Sequence, residues 1–263
     1  MKPFIKWAGG KRWLINDPGF GFPEYSGRYI EPFLGGGAVF FHLAPPEAIL
    51  SDVNERLIST YKSIRDEWRL VQASLFEFQE QHSKEFYYEE RSREHTSSHL
   101  RAAQFLYLNR TCFNGLYREN LKGQFNVPLG TKTQVTLSDD DFELASKLLS
   151  RADLRAGDFE DVVSEAMEGD LVFLDPPYTT AHNLNGFIKY NQKIFTWDDQ
   201  KRLMEAIREA IIRGARVILT NANHESIHEL YFKLGTPKVV SRPSVISGSV
   251  SSRRATTEAL FIF

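Results

Sequence analysis

The stretch from Leu171 to Tyr178 constrains the fold of this chain more than any other segment. Four consecutive apolar residues, Leu171–Leu174, predict a short strand buried on both faces, as the central strands of parallel sheets are. Two prolines then end the strand, because proline cannot donate a hydrogen bond to a sheet ladder. The turn leaves the Asp175 carboxylate, a proline carbonyl and a tyrosine ring at the strand's carboxyl end, where open α/β sheets bind ligands. A buried strand followed by a rigid turn without function is the alternative interpretation.

The composition is that of an ordinary globular protein, with 263 residues of which 42% are hydrophobic and 25% charged. This length allows one large domain or one domain with a sizeable insertion. The sequence has no apolar run of about 18 residues, which a transmembrane helix needs, so no membrane span is expected. Met1–Trp7 contains no long apolar stretch, so we expect no secretory signal there. The single cysteine of the chain, Cys112, excludes an internal disulfide. We therefore expect a protein of the reducing cytoplasm.

Charge is distributed unevenly along the chain. The net charge of −2 argues against general electrostatic coating of nucleic acid. Bases nevertheless dominate from 101 to 132, and acids dominate from 133 to 170. The bases of the first stretch are Arg101, Arg110, Arg118, Lys122 and Lys132, and the aromatic residues interleaved with them are Phe113, Tyr117 and Phe125. Because arginine suits phosphates and guanine edges and rings can stack or wedge, this favours nucleic acid over a packed surface loop.

Two glycine-rich turns lie near the N-terminus. The segment Trp7–Lys11 lacks the spacing of a Walker phosphate loop, which leaves either a turn for close approach of a ligand or a surface turn with a packed tryptophan. Tyr29–Phe41 passes from an apolar strand through Gly35–Gly37 into a helix start, as turns that hold nucleotide cofactors do. NAD is disfavoured, because Phe40 occupies the position of the third glycine in the dinucleotide fingerprint.

Strand and helix patterns alternate along most of the chain, which predicts an α/β fold with a mainly parallel sheet. Asp52, after the second strand, is placed to bind ribose hydroxyls or to cap the helix that begins near Glu55. The alternation is interrupted by a helical, basic insertion over 56–150, and Asn-Gly and Lys-Gly pairs predict tight loops within it. His95 and His99 lack an acidic or cysteine partner at ligand spacing, so no metal site is expected. A polar loop, Ser247–Arg254, precedes the last strand.

Five segments of the chain, in this order, resemble the Dam-type DNA adenine-N6 methyltransferases of the D12 class, α group. Lys6–Lys11 looks like the family's N-terminal cofactor motif, Glu31–Gly37 like its S-adenosylmethionine loop, and Asp52 like its ribose-binding acid. Gly157–Phe159 is similar to the segment that lines the cofactor adenine, and Asp175–Tyr178 looks like the catalytic motif. The resemblance implies a Rossmann-like methyltransferase sheet that uses S-adenosylmethionine and carries an inserted, mainly helical DNA-recognition domain.

Residue roles follow from the same resemblance. The catalytic domain would comprise 1–55 and 151–263, and the target-recognition domain 56–150. The catalytic residues implied are Asp175, Pro176 and Tyr178. The cofactor-binding residues implied are Trp7, Ala8, Gly9, Lys11, Phe33, Gly35, Gly37, Asp52, Asp158, Phe159 and Asp175. The DNA-binding residues implied are Arg110, Phe113, Asn114, Leu116, Arg118, Asn126 and Pro128.

The chemistry of the catalytic segment can also be argued from its residues. The lone pair of an exocyclic base amine is delocalised into the ring, so acceptors that bind the amine favour the geometry and charge of methyl transfer. The Asp175 carboxylate and the Pro176 carbonyl are two such acceptors, and Tyr178 offers a flat face to an extruded base. Carbon-5 cytosine methylation needs a thiolate, and Cys112 lies far from this segment without a preceding proline.

Several alternatives stay open at this level. Amino-N4 cytosine methylation uses a similar acceptor turn. Adenine is favoured only because Phe113–Arg118 and Gly123–Pro128 resemble the target-recognition domain of the Dam-type family. A non-catalytic DNA-binding module, or a methyltransferase for RNA or a protein amide, belongs to the same fold class. We expect double-stranded DNA as the partner, a GATC-like site, no membrane and no metal. We also expect a monomer in solution, with a dimer on DNA left open, near the nucleoid of a bacterial or phage-infected cell.

Overall fold

The computed structural model describes residues 1–120, 123–181, 195–243 and 255–263. The polar loop Ser247–Arg254 and the base Lys122, both noted in the sequence, lie outside these ranges.

Seven strands form one mixed sheet. In chain order they are β1 (Tyr29–Glu31), β2 (Ala48–Asp52), β3 (Ala152–Ala156), β4 (Leu171–Leu174), β5 (Arg216–Ala222), β6 (Lys238–Pro243) and β7 (Ala255–Ile262). Their order across the sheet is β3-β2-β1-β4-β5-β7-β6. Strand β4 pairs in parallel with β1 and β5, β2 pairs in parallel with β3, and β7 runs antiparallel between β5 and β6. The predicted α/β class is confirmed.

The predicted central strand is buried along its whole length. Its four residues, Leu171–Leu174, are each at most 1% exposed. Burial on both faces explains why this strand reads as a continuous apolar run rather than as an alternating one. The strand ends where the sequence predicts, immediately before Asp175.

Helices fill the connections between strands. In the first part of the chain they are α1 (Arg12–Ile15), α2 (Ala38–Leu43), α3 (Glu55–Gln81), α4 (Lys84–Ser92), α5 (Ser98–Thr111) and α6 (Phe142–Leu149). A 3₁₀ turn occupies Phe113–Gly115. The later helices are α7 (Phe159–Val163), α8 (Trp197–Ile212) and α9 (Glu225–Tyr231). Within the described ranges, no helix has both the length and the apolar character that crossing a membrane requires.

Local sequence signals account for the ends of the longer helices. Asn54 caps α3 by accepting a hydrogen bond from the Leu57 amide at 2.9 Å. Thr196 and Asp199 form a reciprocal capping box at the start of α8. Gly214 follows α8 with a φ of 92°, in the left-handed region that commonly ends helices.

The chain divides into two compact units. The first contains Met1–Phe20 and Leu34–Gly157, and the second contains Gly21–Phe33 and Asp158–Phe263. The predicted insertion, 56–150, falls within the first unit, where α3 packs against β2, β3, α5 and α6. The two compact units do not coincide with the predicted catalytic and recognition domains, because β2 and β3 group with the helices that cover them. The limits of the two domains therefore remain a proposal.

Candidate active site

A glycine turn precedes α2 in the first unit. Gly35 and Gly37 have positive φ angles of 47° and 64°, a conformation that glycine adopts at little cost. A Cβ added to Gly35 would lie 2.6 Å from Trp7 Cδ1, so a larger residue would displace the tryptophan. The turn therefore presents bare backbone, as a loop that must approach a ligand closely does.

Asp52, at the end of β2, is bound to this turn. Its Oδ2 accepts a hydrogen bond from the Gly35 amide at 3.0 Å, and its Oδ1 accepts one from the Asn54 amide at 3.0 Å. Burial raises the pKa of Asp52, although these two hydrogen bonds oppose the shift. Because each carboxylate oxygen can accept more than one hydrogen bond, Asp52 keeps the capacity to bind ribose hydroxyls.

The segment Trp7–Lys11 makes a second turn in the first unit. Gly9 has a φ of 81°, and the buried ammonium of Lys11 donates to the Gly9 carbonyl at 2.8 Å. Ala8 and Gly9 are exposed, whereas Trp7 is half-buried against the Gly35 turn. Contacts within this unit thus bring together Trp7, Gly35 and Asp52, three of the residues predicted to bind the cofactor.

An aromatic cluster in the second unit contains Phe33 and Phe159, two further residues predicted to bind the cofactor. Phe33 stacks on Phe159 with ring centroids 5.5 Å apart, and Phe195 contacts both rings at 5.7 Å. Asp158 caps α7 by accepting from the Glu160 amide at 2.9 Å. The cluster offers the flat apolar surface that an adenine ring needs.

Arg202 supports this cluster, although no sequence pattern singled it out. Its Nη2 lies 2.8 Å from Asp158 Oδ1, and its Cζ lies 5.0 Å from the centre of the Phe159 ring. Hydrogen bonds to Glu160 and Asp158 raise the pKa of Arg202 further above its ordinary value. Its partners Asp158 and Glu160 lie 44 and 42 positions away along the chain, so no local pattern in the sequence indicated these contacts.

Asp175 lies at the carboxyl end of β4, as predicted, and is held there from the neighbouring strand. The Thr220 hydroxyl on β5 donates to Asp175 Oδ1 at 2.8 Å. Thr220 is fully buried, so water does not compete for this bond. The carboxylate is therefore fixed by a second strand as well as by the rigid proline turn.

Tyr178 is fixed in the same way, by a residue from the antiparallel part of the sheet. Its hydroxyl donates to Glu258 Oε2 on β7 at 2.6 Å, and Glu258 is only 1% exposed. Thr179, the next residue, donates from its hydroxyl to the Phe195 carbonyl at 2.7 Å. These contacts define the orientation of the ring and the path of the chain after the turn.

The predicted tight loops after α5 form an irregular hairpin. Isolated antiparallel bridges pair Cys112 with Leu129 and Glu119 with Phe125. The Phe113 amide donates to the Pro128 carbonyl at 2.9 Å, which closes the base of the hairpin. We call residues 112–120 and 123–129 the recognition hairpin.

Most residues predicted to bind DNA lie on the accessible surface of this hairpin. Phe113, Asn114, Arg118 and Pro128 are exposed, and Leu116 and Asn126 are half-buried. Arg118 donates from Nε to Asn126 Oδ1 at 2.9 Å, which orients the guanidinium and, among the described residues, engages one of its three nitrogens. Of the aromatic residues in this region, Phe113 is 52% exposed, whereas Tyr117 is half-buried and Phe125 is buried.

Arg110 does not fit its predicted contact with DNA. Its side chain is only 4% exposed and forms a two-bond ion pair with Asp140, with both N–O distances 2.7 Å. The same guanidinium donates to the carbonyls of Val135 and Phe4. Breaking a buried ion pair to reach a phosphate would leave an uncompensated carboxylate, so the structure corrects this prediction: Arg110 holds the first unit together.

No group of three or more histidine, cysteine, aspartate or glutamate side chains is arranged to hold a metal ion in the part of the chain that the structure covers. What the described residues do offer is hydrogen-bond acceptors at a strand end and a glycine turn bound to an acid. Carboxylate and carbonyl acceptors at the end of a strand are suited to bind an amine that gains positive charge.

Comparison with known proteins defines the family. Residues 7–244 match the D12 class N6 adenine-specific DNA methyltransferases. The chain is 36% identical over 263 residues to Type II methyltransferase M1.LlaDCHI of Lactococcus lactis subsp. cremoris, covering 97% of this chain and 92% of that protein. It is 31% identical over 269 residues to the DNA adenine methylase of Vibrio cholerae serotype O1, covering 100% of this chain and 96% of that protein.

A third relative is the DNA N-6-adenine-methyltransferase of Escherichia phage P1, which is 38% identical over 238 residues. That alignment covers 89% of this chain and 31% of the longer phage protein. The chain belongs to the D12 class of N6 adenine-specific DNA methyltransferases. It is therefore an enzyme that uses S-adenosylmethionine to methylate the N6 amine of adenine in DNA.

Proposed function

We propose that the enzyme methylates adenine within a short duplex site, GATC, after the adenine has been extruded from the helix. The observation that carries the proposal is the Asp175 carboxylate, held at the end of β4 by the buried Thr220 hydroxyl. The proposal assigns Asp175, Pro176 and Tyr178 to the base and the glycine turn with Asp52 to the cofactor.

The residues of the catalytic turn account for activation of the amine. The Asp175 carboxylate and the Pro176 carbonyl would accept the two N6 hydrogens, which favours the tetrahedral, positively charged nitrogen that develops as the methyl bond forms. Acceptors that are already oriented cost no reorganisation during the reaction, and here Thr220 supplies the orientation. Tyr178 would stack on the adenine, with its ring position set by Glu258. Extrusion is required because a stacked base does not expose its amine to such a turn.

The residues present fit S-adenosylmethionine. Asp52 retains acceptor capacity for ribose hydroxyls, and the Gly35 turn has no room for a Cβ. Phe33 and Phe159 would hold the adenine ring by stacking, and Asp158 would accept a hydrogen bond from its amino group. When bound, the cofactor supplies an electrophilic methyl group on a sulfonium, so no covalent enzyme intermediate is needed.

The recognition hairpin supports a defined target sequence. Arg118 is exposed and oriented by Asn126, as a residue that reads guanine needs to be. Exposed Phe113 and Asn114 would occupy or flank the gap that an extruded adenine leaves, and Leu116 and Pro128 would contact neighbouring bases. GATC is proposed from the resemblance of this hairpin to the Dam-type segment. Acting on chromosomal or phage DNA, the enzyme would work in the cytoplasm.

Methyl incorporation into three substrates tests the proposal. Purified enzyme and radiolabelled S-adenosylmethionine are incubated with DNA that carries no adenine methylation, with total RNA, and with a protein extract. We expect label in DNA alone, and mapping of methylated bases should place N6-methyladenine in GATC. Methylation at another sequence would contradict the GATC assignment, and equal methylation of unpaired and paired adenines in duplexes of matched sequence would contradict extrusion from the helix.

Thr220→Val tests the support that β5 gives to Asp175. Valine keeps the buried volume but removes the hydroxyl, so methyl transfer should slow about tenfold or more, because a hydrogen bond to a charged group contributes about 1.5–3 kcal/mol. Single-turnover rates would measure this effect. Separate binding titrations should show cofactor and DNA affinities within a few-fold of the wild-type values. Thr220→Ser should recover most of the rate, and equal rates for valine and serine would contradict this positioning role.

Cys112 should be dispensable for catalysis. It is 2% exposed, its sulfur lies 3.5 Å from the Leu116 carbonyl, and burial raises the pKa of its thiol to about 11. The thiolate fraction is therefore small at neutral pH and rises only towards that value. We expect Cys112→Ser to retain methylation, and iodoacetamide at about pH 8 to label the native protein far more slowly than the unfolded one. Rapid inactivation with label on Cys112 would contradict this expectation.

A further inference from the structure

An aromatic stack crosses the interior of the first unit beneath the recognition hairpin. The Trp7 ring stacks on Phe105 of α5 with centroids 6.4 Å apart and on Tyr117 of the hairpin with centroids 5.5 Å apart. Tyr117 also contacts Phe105 at 4.7 Å and Phe125, on the other arm of the hairpin, at 5.5 Å. Tyr117 is thus held between the N-terminal segment and the hairpin itself.

Trp7 connects this stack to the cofactor turn. A Cβ built on Gly35 would lie 2.6 Å from Trp7 Cδ1, and one built on Gly36 would lie 3.4 Å from Trp7 Cβ. The segment is also pinned to α5, because the Lys6 amide donates to Asn109 Oδ1 at 3.0 Å and Asn109 Nδ2 donates back to the Lys6 carbonyl at 2.8 Å. Trp7 therefore has little freedom to move without moving Tyr117.

A second connection starts from the hydroxyl of Tyr117. The hydroxyl donates to Glu119 of the hairpin, and the Asn54 side chain lies close enough to Tyr117 to lower the pKa of its hydroxyl, against the larger effect of burial. The Asn54 amide in turn donates to Asp52, the residue assigned to the cofactor ribose. Burial raises the pKa of Tyr117, so its hydroxyl stays protonated and remains a donor at physiological pH. The ring of Tyr117 is therefore connected to Gly35 through Trp7, and its hydroxyl is connected to Asp52 through Asn54.

The same residue is part of the base-reading segment. Tyr117 stands directly between half-buried Leu116 and exposed Arg118, both assigned to the DNA target. We propose that Tyr117 is a positioning residue that couples cofactor binding to DNA recognition, with the stack Phe105–Trp7–Tyr117 as the physical connection. The inference rests on the proposed roles of the Gly35 turn and of Arg118, and adds that the two sites report on each other through one side chain.

The coupling has a definite physical form. Cofactor bound at the Gly35 turn would restrict Trp7, and a restricted Trp7 would hold Tyr117 and therefore the backbone on either side of it. Target DNA that orders the hairpin would restrict the same stack from the other end. Linkage requires the two effects to be equal, so cognate DNA must tighten cofactor binding by the factor with which cofactor tightens binding to cognate DNA.

A thermodynamic cycle tests this proposal. The dissociation constant of S-adenosylhomocysteine, which lacks the transferable methyl group, is measured with a duplex that carries one methylatable site and with a duplex in which that site is scrambled. The ratio of the two constants is the coupling factor. For the wild-type enzyme we expect a factor of roughly 5–150. The site used is the one that the wild-type enzyme methylates, which is GATC if the proposed target holds.

Four variants separate coupling from simple support of the fold. Tyr117→Leu and Tyr117→Met remove the flat ring by two routes, so that failure of one to fold leaves the other. Tyr117→Phe keeps the ring and removes the hydroxyl. Tyr88→Leu is the matched control, because Tyr88 is a partly exposed tyrosine on α4 whose ring contacts Tyr87 and Arg91.

The expected outcome is a coupling factor near 1 in the leucine and methionine variants. The phenylalanine variant and the Tyr88 control should keep at least half of the wild-type factor. A folded leucine or methionine variant with the wild-type factor would overturn the inference, even if both of its affinities were uniformly weaker. A wild-type enzyme that methylates no DNA would instead overturn the proposed function, before any variant is compared.

Discussion

Replacing Asp175 with alanine should lower the rate of methyl transfer to DNA by roughly a hundredfold to a thousandfold or more. The variant removes one of two acceptors for the adenine amine, and removal of one pre-oriented group that stabilises developing charge costs about 2.7–4 kcal/mol in comparable sites. The remaining Pro176 carbonyl can orient the amine but cannot balance its positive charge. The measurement is a single-turnover rate with saturating S-adenosylmethionine and duplex DNA.

The matched control is Asp198→Ala. The Asp198 side chain is 85% exposed in the first turn of α8 and pairs at the surface with Lys201, so its removal changes the net charge equally without touching the turn. It should methylate DNA at the wild-type rate. If Asp175→Ala turned over within a few-fold of that control, the carboxylate would have no role in the mechanism. If the variant failed to fold, as judged by thermal melting, Asp175→Asn would replace it in the test.

Local patterns were sufficient to predict the elements that frame this turn. The run Leu171–Leu174 fixes a strand by continuous apolarity, and two prolines fix its end. Both ends of helix α8 coincide with local sequence signals, a capping box at Thr196 and a glycine at 214. Each of these signals acts over a few residues and depends on backbone geometry, which the identity of those residues sets directly.

The residues that support the turn were not predictable in this way. Thr220 is 45 positions from Asp175, and Glu258 is 80 positions from Tyr178. Only the pairing of β4 with β5, and of β5 with β7, brings them to the strand end. A threonine within an apolar strand carries no sign of which carboxylate it will face.

The recognition region shows where composition alone misleads. Arg110 and Arg118 are both arginines of one basic stretch, but one is buried in an ion pair with Asp140 and the other is exposed. The acidic run that contains Asp140 lies next along the chain, and the sequence indicated only that charge is segregated there. Whether an arginine meets an acid or solvent depends on packing between α5 and the segment before α6, which no local pattern specifies.

Replacing Arg118 with alanine should relax the target specificity at one guanine while leaving cofactor binding unchanged. Arg118 is exposed, and its Nε is engaged by Asn126, so the guanidinium is oriented before DNA arrives. A bidentate contact between arginine and guanine contributes about 1–3 kcal/mol of discrimination, which corresponds to roughly 5–150-fold in the preference for the correct base. The measurement is the methylation rate on a set of duplexes that differ at single positions of the site.

Arg101→Ala gives the comparison that separates base reading from attraction to phosphate. Arg101 is an exposed arginine of the same basic stretch, on α5, and its loss changes the charge of the enzyme equally. Loss of a phosphate contact would weaken binding to all duplexes alike and reduce the salt dependence of binding. Loss of a base contact would change the order in which the enzyme prefers the duplexes. If Arg118→Ala loses base discrimination at one position of the site and Arg101→Ala does not, Arg118 is identified as a residue that reads guanine. Equal loss on every duplex in both variants would leave it only a neutraliser of phosphate charge.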